Sequence, residues 1–298
     1  MTITIFTPTY NRAYRLTALY ESLKKQTNKD FEWLIVDDGS TDKTDELIKL
    51  WLQEKTFIIR YIKQQNGGKH RAINHGVQEA KGELFFIVDS DDILPKDSVE
   101  IILRYYADIK DRKEFAGLCG LKAYYNGMTV GGTSDFGVID CSNFDIDYKF
   151  RFKGDMAEVF RTNILKEYPF PEIEGERFCP EILVWNRISC KYIIRYLSER
   201  IYYCEYLEDG LTSKITKIRM QSPVASCITY YEMVQAPIPL WAKVRASINY
   251  WRFKFNTESS LVPCLSRIWR LTKPLGYLFY KKDRKNNRTC IERNDSEG

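Results

Sequence analysis

A short acidic stretch most constrains how this chain can fold. Leu84 to Val88 is a run of five apolar residues, and Asp89, Asp91 and Asp92 follow it within four positions. The run predicts a strand buried on both faces. Carboxylates gathered at its end repel one another by about 1 to 4 kcal/mol per close pair, depending on the effective dielectric. We therefore expect them to hold a cation, or a cation and a ligand hydroxyl. The alternative is a polar loop in which Asp92 caps the next helix.

Three further predicted strands precede this one in the chain. They are Thr2–Thr7, Phe31–Val36 and Phe57–Ile62, and apolar residues at helical spacing predict a helix after each. This alternation predicts an α/β fold with a mostly parallel sheet. In such a sheet ligands bind beyond the carboxyl ends of the strands, where the acidic stretch falls.

The second half of the chain is less regular. Phe115–Tyr125 and Tyr192–Tyr203 are predicted strands, Pro180–Ser189 is a predicted helix, and Gly131–Gly154 is expected to be irregular. We place a boundary near Met220, which divides the chain into a catalytic domain, 1–219, and a helical extension, 220–298.

Cysteine content and hydropathy indicate the compartment. The eight cysteines are scattered without a CxxC pair, which favours reduced thiols in a cytosolic protein. No signal-peptide pattern is visible at the N-terminus. The longest apolar runs have about five residues, against the roughly 20 that a membrane-spanning helix needs. We therefore expect a cytoplasmic protein that does not cross the membrane.

Basic residues are concentrated in the last part of the chain. Residues 240–293 contain 13 Lys and Arg but only three acids, although the net charge of the whole chain is +5. Trp241, Val244, Ile248, Trp251 and Phe255 recur there at helical spacing among the basic residues. Tryptophan and basic residues on an amphipathic helix are typical of proteins that lie on an anionic membrane. The alternative is that these aromatic residues pack against the catalytic body. No nucleic-acid-binding module is recognisable.

Four polar loops follow the four predicted strands. They are Thr7–Arg12, Asp37–Asp42, Gln65–Arg71 and Asp89–Asp92. Together they supply hydroxyls, carboxylates, a glycine turn with cations beside it, and an acidic cradle. A nucleotide diphosphate with a divalent ion needs all of these groups, because cations neutralise phosphate and the ion bridges its oxygens. We expect Lys69 or Arg71 to meet the phosphates.

At these loops the chain resembles the inverting glycosyltransferases of family 2, which have the GT-A nucleotide-sugar-binding fold. The resemblance covers about residues 1–215, and the matching segments are Phe6–Arg12, Ile35–Asp42, Asn66–Gly82, Val88–Asp92 and Gly175–Glu181. It implies sugar transfer from a nucleotide sugar, expected to be a uridine diphosphate sugar, with Mg²⁺ or Mn²⁺. The implied acceptor is a hydroxyl of a glycan or of a lipid-linked saccharide in bacterial surface-polysaccharide synthesis. The implied location is the inner face of the cell membrane.

The resemblance also implies roles for individual residues. Thr7, Pro8 and Tyr10 would line the base pocket, and Asp38 would contact the base. Asp89 would meet the ribose and Asp91 would hold the metal ion, with Asp92 as a second candidate. The full set expected to bind the donor is Thr7, Pro8, Tyr10, Arg12, Asp38, Gly68, Lys69, Arg71, Asp89 and Ser90.

An inverting transfer needs a base that deprotonates the acceptor hydroxyl. We expect Glu181 in this role, because Pro180-Glu181 stands where the family presents an acidic pair before a helix. Only one acid of that pair is present here, and Glu174 and Glu176 are competitors. The alternative is that Glu181 is a first-turn acid stabilised by the helix dipole.

Other polar residues rank lower as site candidates. Asp155 could face the acceptor, and Asp209–Thr212 resembles a loop that closes over the donor or acceptor in the family. His70 could touch phosphate beside Lys69. Trp51 and Trp185 are expected in the core.

Two other functions fit parts of the sequence. Ile87–Ile93 partly resembles the nucleophile loop of haloacid-dehalogenase-type phosphatases, although that loop normally follows the first strand. The other is a non-catalytic subunit that keeps the fold and binds a nucleotide sugar, and the absence of a usable base at Pro180-Glu181 would support it. A calcium loop of the EF-hand type is excluded, because Ile93 occupies a ligand position.

Overall fold

The computed structural model describes residues 1–132, 135–205 and 215–294. The chain forms two compact units, and both are discontinuous in sequence. The first comprises Met1–Pro169 and Arg187–Glu205, and the second comprises Phe170–Asn186 and Tyr206–Gly298. The expected boundary at Met220 falls within a helix of the second unit, Ile215–Gln221.

The described residues of the first unit form eight strands. They are β1 (Ile3–Thr9), β2 (Phe31–Asp37), β3 (Ile58–Lys63), β4 (Leu84–Ile87), β5 (Phe115–Ala123), β6 (Val138–Cys141), β7 (Met156–Arg161) and β8 (Ile193–Tyr203). Six helices lie between them in sequence: α1 (Ala13–Lys24), α2 (Thr44–Glu54), α3 (Lys69–Glu79), α4 (Ser98–Ala107), α5 (Asn143–Tyr148) and α6 (Thr162–Glu167). A seventh, α7 (Glu181–Ser189), begins in the second unit and ends in the first.

All eight strands form one sheet in the order β3-β2-β1-β4-β7-β5-β8-β6. The first four are parallel to one another, which confirms the predicted parallel α/β half. The other half is mixed, because β7 is antiparallel to both β4 and β5 and β6 is antiparallel to β8. Strand β8 is parallel to β5.

The two central parallel strands are buried along their whole length. Every residue of β1 and β2 is buried, as expected for strands covered on both faces. One side packs on an aromatic cluster in which the rings of Tyr20 and Trp51 stack with centroids 4.4 Å apart, close to Trp33. Trp51 therefore lies in the core, as predicted, and so does Trp185 in the second unit.

The prediction that Gly131–Gly154 is irregular is wrong, because β6 and α5 lie within it. Ser142 caps α5 by accepting a hydrogen bond from the backbone N–H of Asp145 (3.1 Å). Strand β6 has only four residues, and Asp140 in it pairs with Arg195 of β8 through two hydrogen bonds of 2.9 Å. A strand this short is stabilised by a partner distant in sequence, which no local pattern reveals.

The second unit is helical. After α7 it contains α8 (Ile215–Gln221), α9 (Pro223–Gln235), α10 (Leu240–Lys254), a 3₁₀-helix (Arg267–Thr272) and α11 (Lys273–Asn294). Helices α10 and α11 approach closely at Gly276, where a Cβ atom would lie 2.4 Å from that of Trp251. The Arg252 guanidinium and the Asp283 carboxylate join the same two helices through hydrogen bonds of 2.5 and 2.8 Å. None of the described helices combines the length and apolar character that crossing a membrane requires.

Candidate active site

The loops that follow β1, β2, β3 and β4 lie at one edge of the sheet, because these strands are neighbours and run parallel. Backbone hydrogen bonds extend the strand pairing to the start of the loops. The N–H of Asp38 donates to the carbonyl of Thr9 (2.8 Å), and the N–H of Val88 donates to that of Phe6 (2.8 Å). The sheet register therefore fixes where each loop begins.

Asp38 organises the glycine turn after β3. Its carboxylate accepts hydrogen bonds from the backbone N–H groups of Gly67 (2.9 Å) and Gly68 (2.7 Å) and from the Gln64 amide (2.8 Å). Three of roughly four acceptor sites on the carboxylate are thus occupied within the protein. Asp38 holds the turn in place, and its contact with a nucleotide base stays a prediction.

The turn leads directly into α3, which begins at Lys69. Gly68 has a φ of 99°, in the left-handed region that favours glycine. At Gly67 a Cβ atom would lie 2.7 Å from Cδ of Arg71, so the Arg71 side chain passes close to the turn. His70 is buried in α3.

The loop after β1 is attached to the loop after β2. Asn11 has a φ of 52°, and its side-chain oxygen accepts a hydrogen bond from the Thr41 N–H (2.8 Å). Its own N–H donates to Oγ of Ser40 (2.8 Å). Next to it, Tyr10 is 48% exposed, and the Arg12 guanidinium donates to the Tyr14 hydroxyl (2.7 Å).

Thr7 and Pro8 are buried in the sheet. The Thr7 hydroxyl accepts a hydrogen bond from the indole N–H of Trp33 (2.9 Å), and the residue has no exposed surface. Of the three residues predicted to line the base pocket, Tyr10 alone is exposed. The side chain of Thr7 is a core group in this structure.

An ion pair joins the glycine turn to the acidic loop after β4. Nζ of Lys69 lies 2.6 Å from Oδ1 of Asp89. Partial burial raises the pKa of Asp89, but the ammonium groups of Lys69 and Lys122 lower it by a larger amount, so its pKa is below the usual value. Asp89 therefore carries a negative charge that two lysines balance.

Asp92 is 8% exposed and bound by a tyrosine. The Tyr202 hydroxyl donates to Oδ2 of Asp92 at 2.6 Å. Burial and the charge of Asp89 raise the pKa of Asp92 to about 7, although the Tyr202 hydrogen bond lowers it. Ser90 between them is also buried.

Asp91 is partly exposed, and within the described part of the chain it neither forms an ion pair with a lysine nor accepts a hydrogen bond from Tyr202. Among the described residues, no three His, Cys, Asp or Glu side chains are grouped so that they could hold a metal ion by themselves. One available carboxylate still fits Mg²⁺ or Mn²⁺ that binds together with a diphosphate, because such ions use one or two carboxylates and substrate phosphates.

Two residues of this site were not predicted from the sequence. Tyr202 on β8 contacts the acidic loop, and Nζ of Lys122 on β5 lies 4.5 Å from the centre of the Tyr202 ring. Burial lowers the pKa of Lys122, but the carboxylates of Asp89, Glu158 and Asp92 raise it above its usual value. The sequence signal that could have identified Lys122 is its position as a lone lysine in the otherwise apolar run Phe115–Ala123.

Asp155 and Asp92 both influence the pKa of the Cys204 thiol. Burial raises the pKa of Cys204 to about 11, and the carboxylates of Asp92 and Asp155 contribute to the increase. Asp155 itself is exposed. The predicted closing loop, Asp209–Thr212, lies outside the described residues.

The three candidate bases belong to the second unit. Glu181 is the first residue of α7 and is half-buried, whereas Glu174 is exposed. Glu176 is buried, and its carboxylate accepts hydrogen bonds from the N–H groups of Val224 (2.6 Å) and Ala225 (2.9 Å) at the start of α9. Glu176 thus has a structural role at a helix N-terminus, and burial raises its pKa despite these bonds.

Residues 4–129 match the sequence model of the family described as "Glycosyl transferase family 2". The glycosyltransferase GlyG of Streptococcus pneumoniae is 29% identical over 217 residues, which cover 67% of this chain and 69% of GlyG. An uncharacterised glycosyltransferase of Rickettsia felis is 40% identical over 103 residues, 35% of this chain. This alignment spans only 17% of the Rickettsia protein.

Two solved structures share the fold over almost the whole chain. Residues 1–349 of Staphylococcus aureus TarS in complex with UDP superpose with a TM-score of 0.64 at 18% identity, covering 97% of this chain and 92% of that TarS fragment. The mannosyltransferase PcManGT of Pyrobaculum calidifontis, in complex with GDP-mannose and Mn²⁺, gives a TM-score of 0.56 at 17% identity. The coverage is 95% of this chain and 86% of PcManGT.

Proposed function

Because this chain belongs to glycosyl transferase family 2 and has the GT-A fold, we propose that it transfers a sugar from a nucleotide sugar to an acceptor hydroxyl. The observation that carries the proposal is the ion pair between Lys69 and Asp89, because it brings the cationic glycine turn and the acidic loop together at the carboxyl edge of the sheet. A nucleotide diphosphate needs a cation and an acidic metal cradle side by side.

The donor-binding residues act through charge and shape. Lys69 and Arg71 follow the glycine turn in the first turn of α3, where the positive end of the helix dipole favours phosphate. Tyr10 offers an exposed ring to the base, and Asp89 offers a carboxylate to the ribose hydroxyls. Asp38 would act mainly by holding Gly67 and Gly68.

A divalent ion would be held by Asp91 together with the donor diphosphate. Such an ion acts as a Lewis acid that stabilises negative charge on the departing diphosphate. On the protein side, Lys69 and Arg71 supply further positive charge to the leaving group. Asp92 is a poorer candidate for a ligand, because it is buried and its Oδ2 already accepts a hydrogen bond.

Inversion in one displacement requires a base on the acceptor side. Glu181 is proposed for that role, and it would accept the proton of the attacking hydroxyl. Of its two competitors, Glu176 is already engaged in capping α9. A uridine diphosphate donor is proposed because the related fold of TarS binds UDP and UDP-GlcNAc. The acceptor would be a glycan or lipid-linked saccharide.

The test is a screen of UDP-sugars, GDP-sugars and other nucleotide sugars with Mn²⁺. We expect at least one UDP-sugar to raise the melting temperature and to be hydrolysed slowly without an acceptor. EDTA should remove both effects. Binding without hydrolysis and without transfer to any offered saccharide would favour a non-catalytic subunit. No stabilisation by any nucleotide sugar would contradict the proposal.

We also propose that the second unit binds an anionic membrane surface. Trp251 and Phe255, two of the aromatic residues for which membrane contact or packing within the protein was expected, pack within the unit. The Trp251 indole donates to the carbonyl of Trp269 (2.8 Å), and the Phe255 ring lies 5.2 Å from that of Tyr277. Trp241 remains 62% exposed.

Other exposed apolar side chains among the described residues of the unit are Leu240, Val244, Leu261, Ile268, Leu271, Leu275, Tyr277, Leu278 and Phe279. Basic residues such as Arg267, Arg270 and Lys273 are interspersed with them. Exposed apolar groups among lysine and arginine match the chemistry of an anionic interface, where each basic residue contributes about 1 kcal/mol. A lipid-linked acceptor would make this location useful.

The experiment is sedimentation with phosphatidylglycerol vesicles and, as a control, phosphatidylcholine vesicles. We expect binding to the anionic vesicles alone and a marked loss of binding in the double variant Ile268→Ser/Leu271→Ser, whose side chains are exposed. The matched control Leu50→Ser changes an exposed leucine of the first unit and should bind normally. Equal sedimentation of wild type and the double variant would contradict the membrane proposal.

A further inference from the structure

We infer that Tyr202 is a positioning residue for the acidic loop: its hydroxyl holds both ends of Asp89–Asp92, so that Asp91 is presented to the metal ion and the donor. This inference rests on the proposed sugar transfer. It also makes a structural claim about the ligand-free protein that can be tested separately.

The Tyr202 hydroxyl forms two hydrogen bonds with the loop. It accepts one from the backbone N–H of Asp89 (3.0 Å) and donates one to Oδ2 of Asp92 (2.6 Å). The two bonded groups lie at the first and last residues of the four-residue segment. A single oxygen atom therefore fixes the distance between the two ends of the loop.

The backbone of β8 reinforces this attachment. The N–H of Ile93 donates to the carbonyl of Tyr203 (3.1 Å), and the N–H of Tyr203 donates to the carbonyl of Ile93 (2.9 Å). This bridge places the residue after Asp92 directly beside the residue after Tyr202. The loop is thus held by β8 at both the main-chain and the side-chain level.

The Tyr202 ring has little freedom to move. It is 1% exposed, it contacts Phe86 edge to face with centroids 6.1 Å apart, and Nζ of Lys122 lies 4.5 Å from its centre. Because the ring is fixed by packing, its hydroxyl is pre-oriented toward the loop. A pre-oriented group costs little conformational entropy when the ligand binds.

Such an attachment matters because the loop contains three carboxylates. Like charges within a few ångström repel, and the repulsion would separate Asp89, Asp91 and Asp92 if the loop were free. Tyr202 binds Asp92 through a hydrogen bond, and Lys69 pairs with Asp89. Asp91 between them is left to face the ligand.

The first test compares Tyr202→Phe with Tyr196→Phe. Both residues are buried in β8 and donate a hydrogen bond through their hydroxyl, but Tyr196 donates to Asn143 (3.3 Å), away from the loop. The readout is amide hydrogen exchange of the ligand-free protein, followed on a proteolytic peptide that covers residues 84–94. We expect exchange to increase about tenfold at Asp89 in Tyr202→Phe, as for one lost hydrogen bond, and not to change in Tyr196→Phe.

The second test measures UDP binding with Mn²⁺ by titration calorimetry. We expect Tyr202→Phe to weaken binding about tenfold and to lower kcat by a similar factor, while Tyr196→Phe has wild-type values. Asp92→Asn keeps an acceptor for the Tyr202 hydroxyl, so it should weaken UDP binding no more than Tyr202→Phe does. If Asp92 were itself a metal ligand, Asp92→Asn would weaken Mn²⁺-dependent UDP binding far more than Tyr202→Phe does.

The outcomes separate the two proposals. Wild-type exchange and wild-type Mn²⁺-UDP affinity in Tyr202→Phe would overturn the positioning role. A wild-type protein that does not bind UDP would contradict the proposed function instead. Hydrogen exchange would then still decide whether the Tyr202 hydroxyl holds the loop.

Discussion

The ammonium group of Lys69 lies 2.6 Å from Oδ1 of Asp89, and this pair joins the first residue of α3 to the loop after β4. The two side chains are 29% and 33% exposed. A pair this accessible to water contributes little to stability. Its consequence is that a cation is already present beside the acidic loop before a ligand binds.

We expect Lys69→Gln to raise KM for the nucleotide sugar about tenfold or more, because a charge-assisted contact to phosphate is lost. The melting temperature should change little. Lys49→Gln is the matched control, since Lys49 also pairs with an aspartate (Asp45, 2.5 Å) but lies on the exposed face of α2. Steady-state kinetics with the donor identified by the screen is the measurement. An unchanged KM would remove Lys69 from the donor site.

We expect Asp91→Asn to abolish metal-dependent turnover while the fold is retained. A neutral amide is a weaker ligand for Mg²⁺ or Mn²⁺ than a carboxylate. The measurement is turnover as a function of Mn²⁺ concentration, with circular dichroism to verify folding. The control is Asp97→Asn, because Asp97 lies in the same connection between β4 and α4 and its side chain forms no capping hydrogen bond. Full activity with the same metal dependence would exclude Asp91 as the ligand.

We expect Glu181→Gln to lower kcat by a factor of about 10² to 10⁴, the usual contribution of a general base. Donor binding, measured by calorimetry with UDP and Mn²⁺, should stay close to the wild-type value. Glu174→Gln provides the comparison, because Glu174 is exposed and was a competing candidate. If Glu174→Gln were the inactive variant, the base would have to be reassigned.

We expect Glu176→Gln to lower the free energy of unfolding by about 1 to 3 kcal/mol, because the charged acceptor of two backbone N–H groups at α9 is lost. Urea unfolding followed by circular dichroism would measure the change. The exposed neighbour Glu174→Gln should unfold at the wild-type urea concentration. Equal midpoints for both variants would show that the α9 contact does not stabilise the protein.

The local sequence determined the parallel half of the fold. Strands β1 to β4 and the helices after them were predicted because apolar runs and helical spacing are properties of neighbouring residues. The same reasoning located the four loops, since parallel neighbouring strands end at a common edge. The acidic loop and the glycine turn are therefore apparent from the sequence alone.

Only the tertiary structure decided how these loops are held and which carboxylates are available. Tyr202 is separated from Asp92 by 110 residues, and Glu176 from Val224 by 48. Strand β6 exists because β8 pairs with it, and the roles of Lys122 and Thr7 depend on which side chains surround them. Such contacts arise from chain folding over long separations, and no periodicity or local motif in the sequence encodes them.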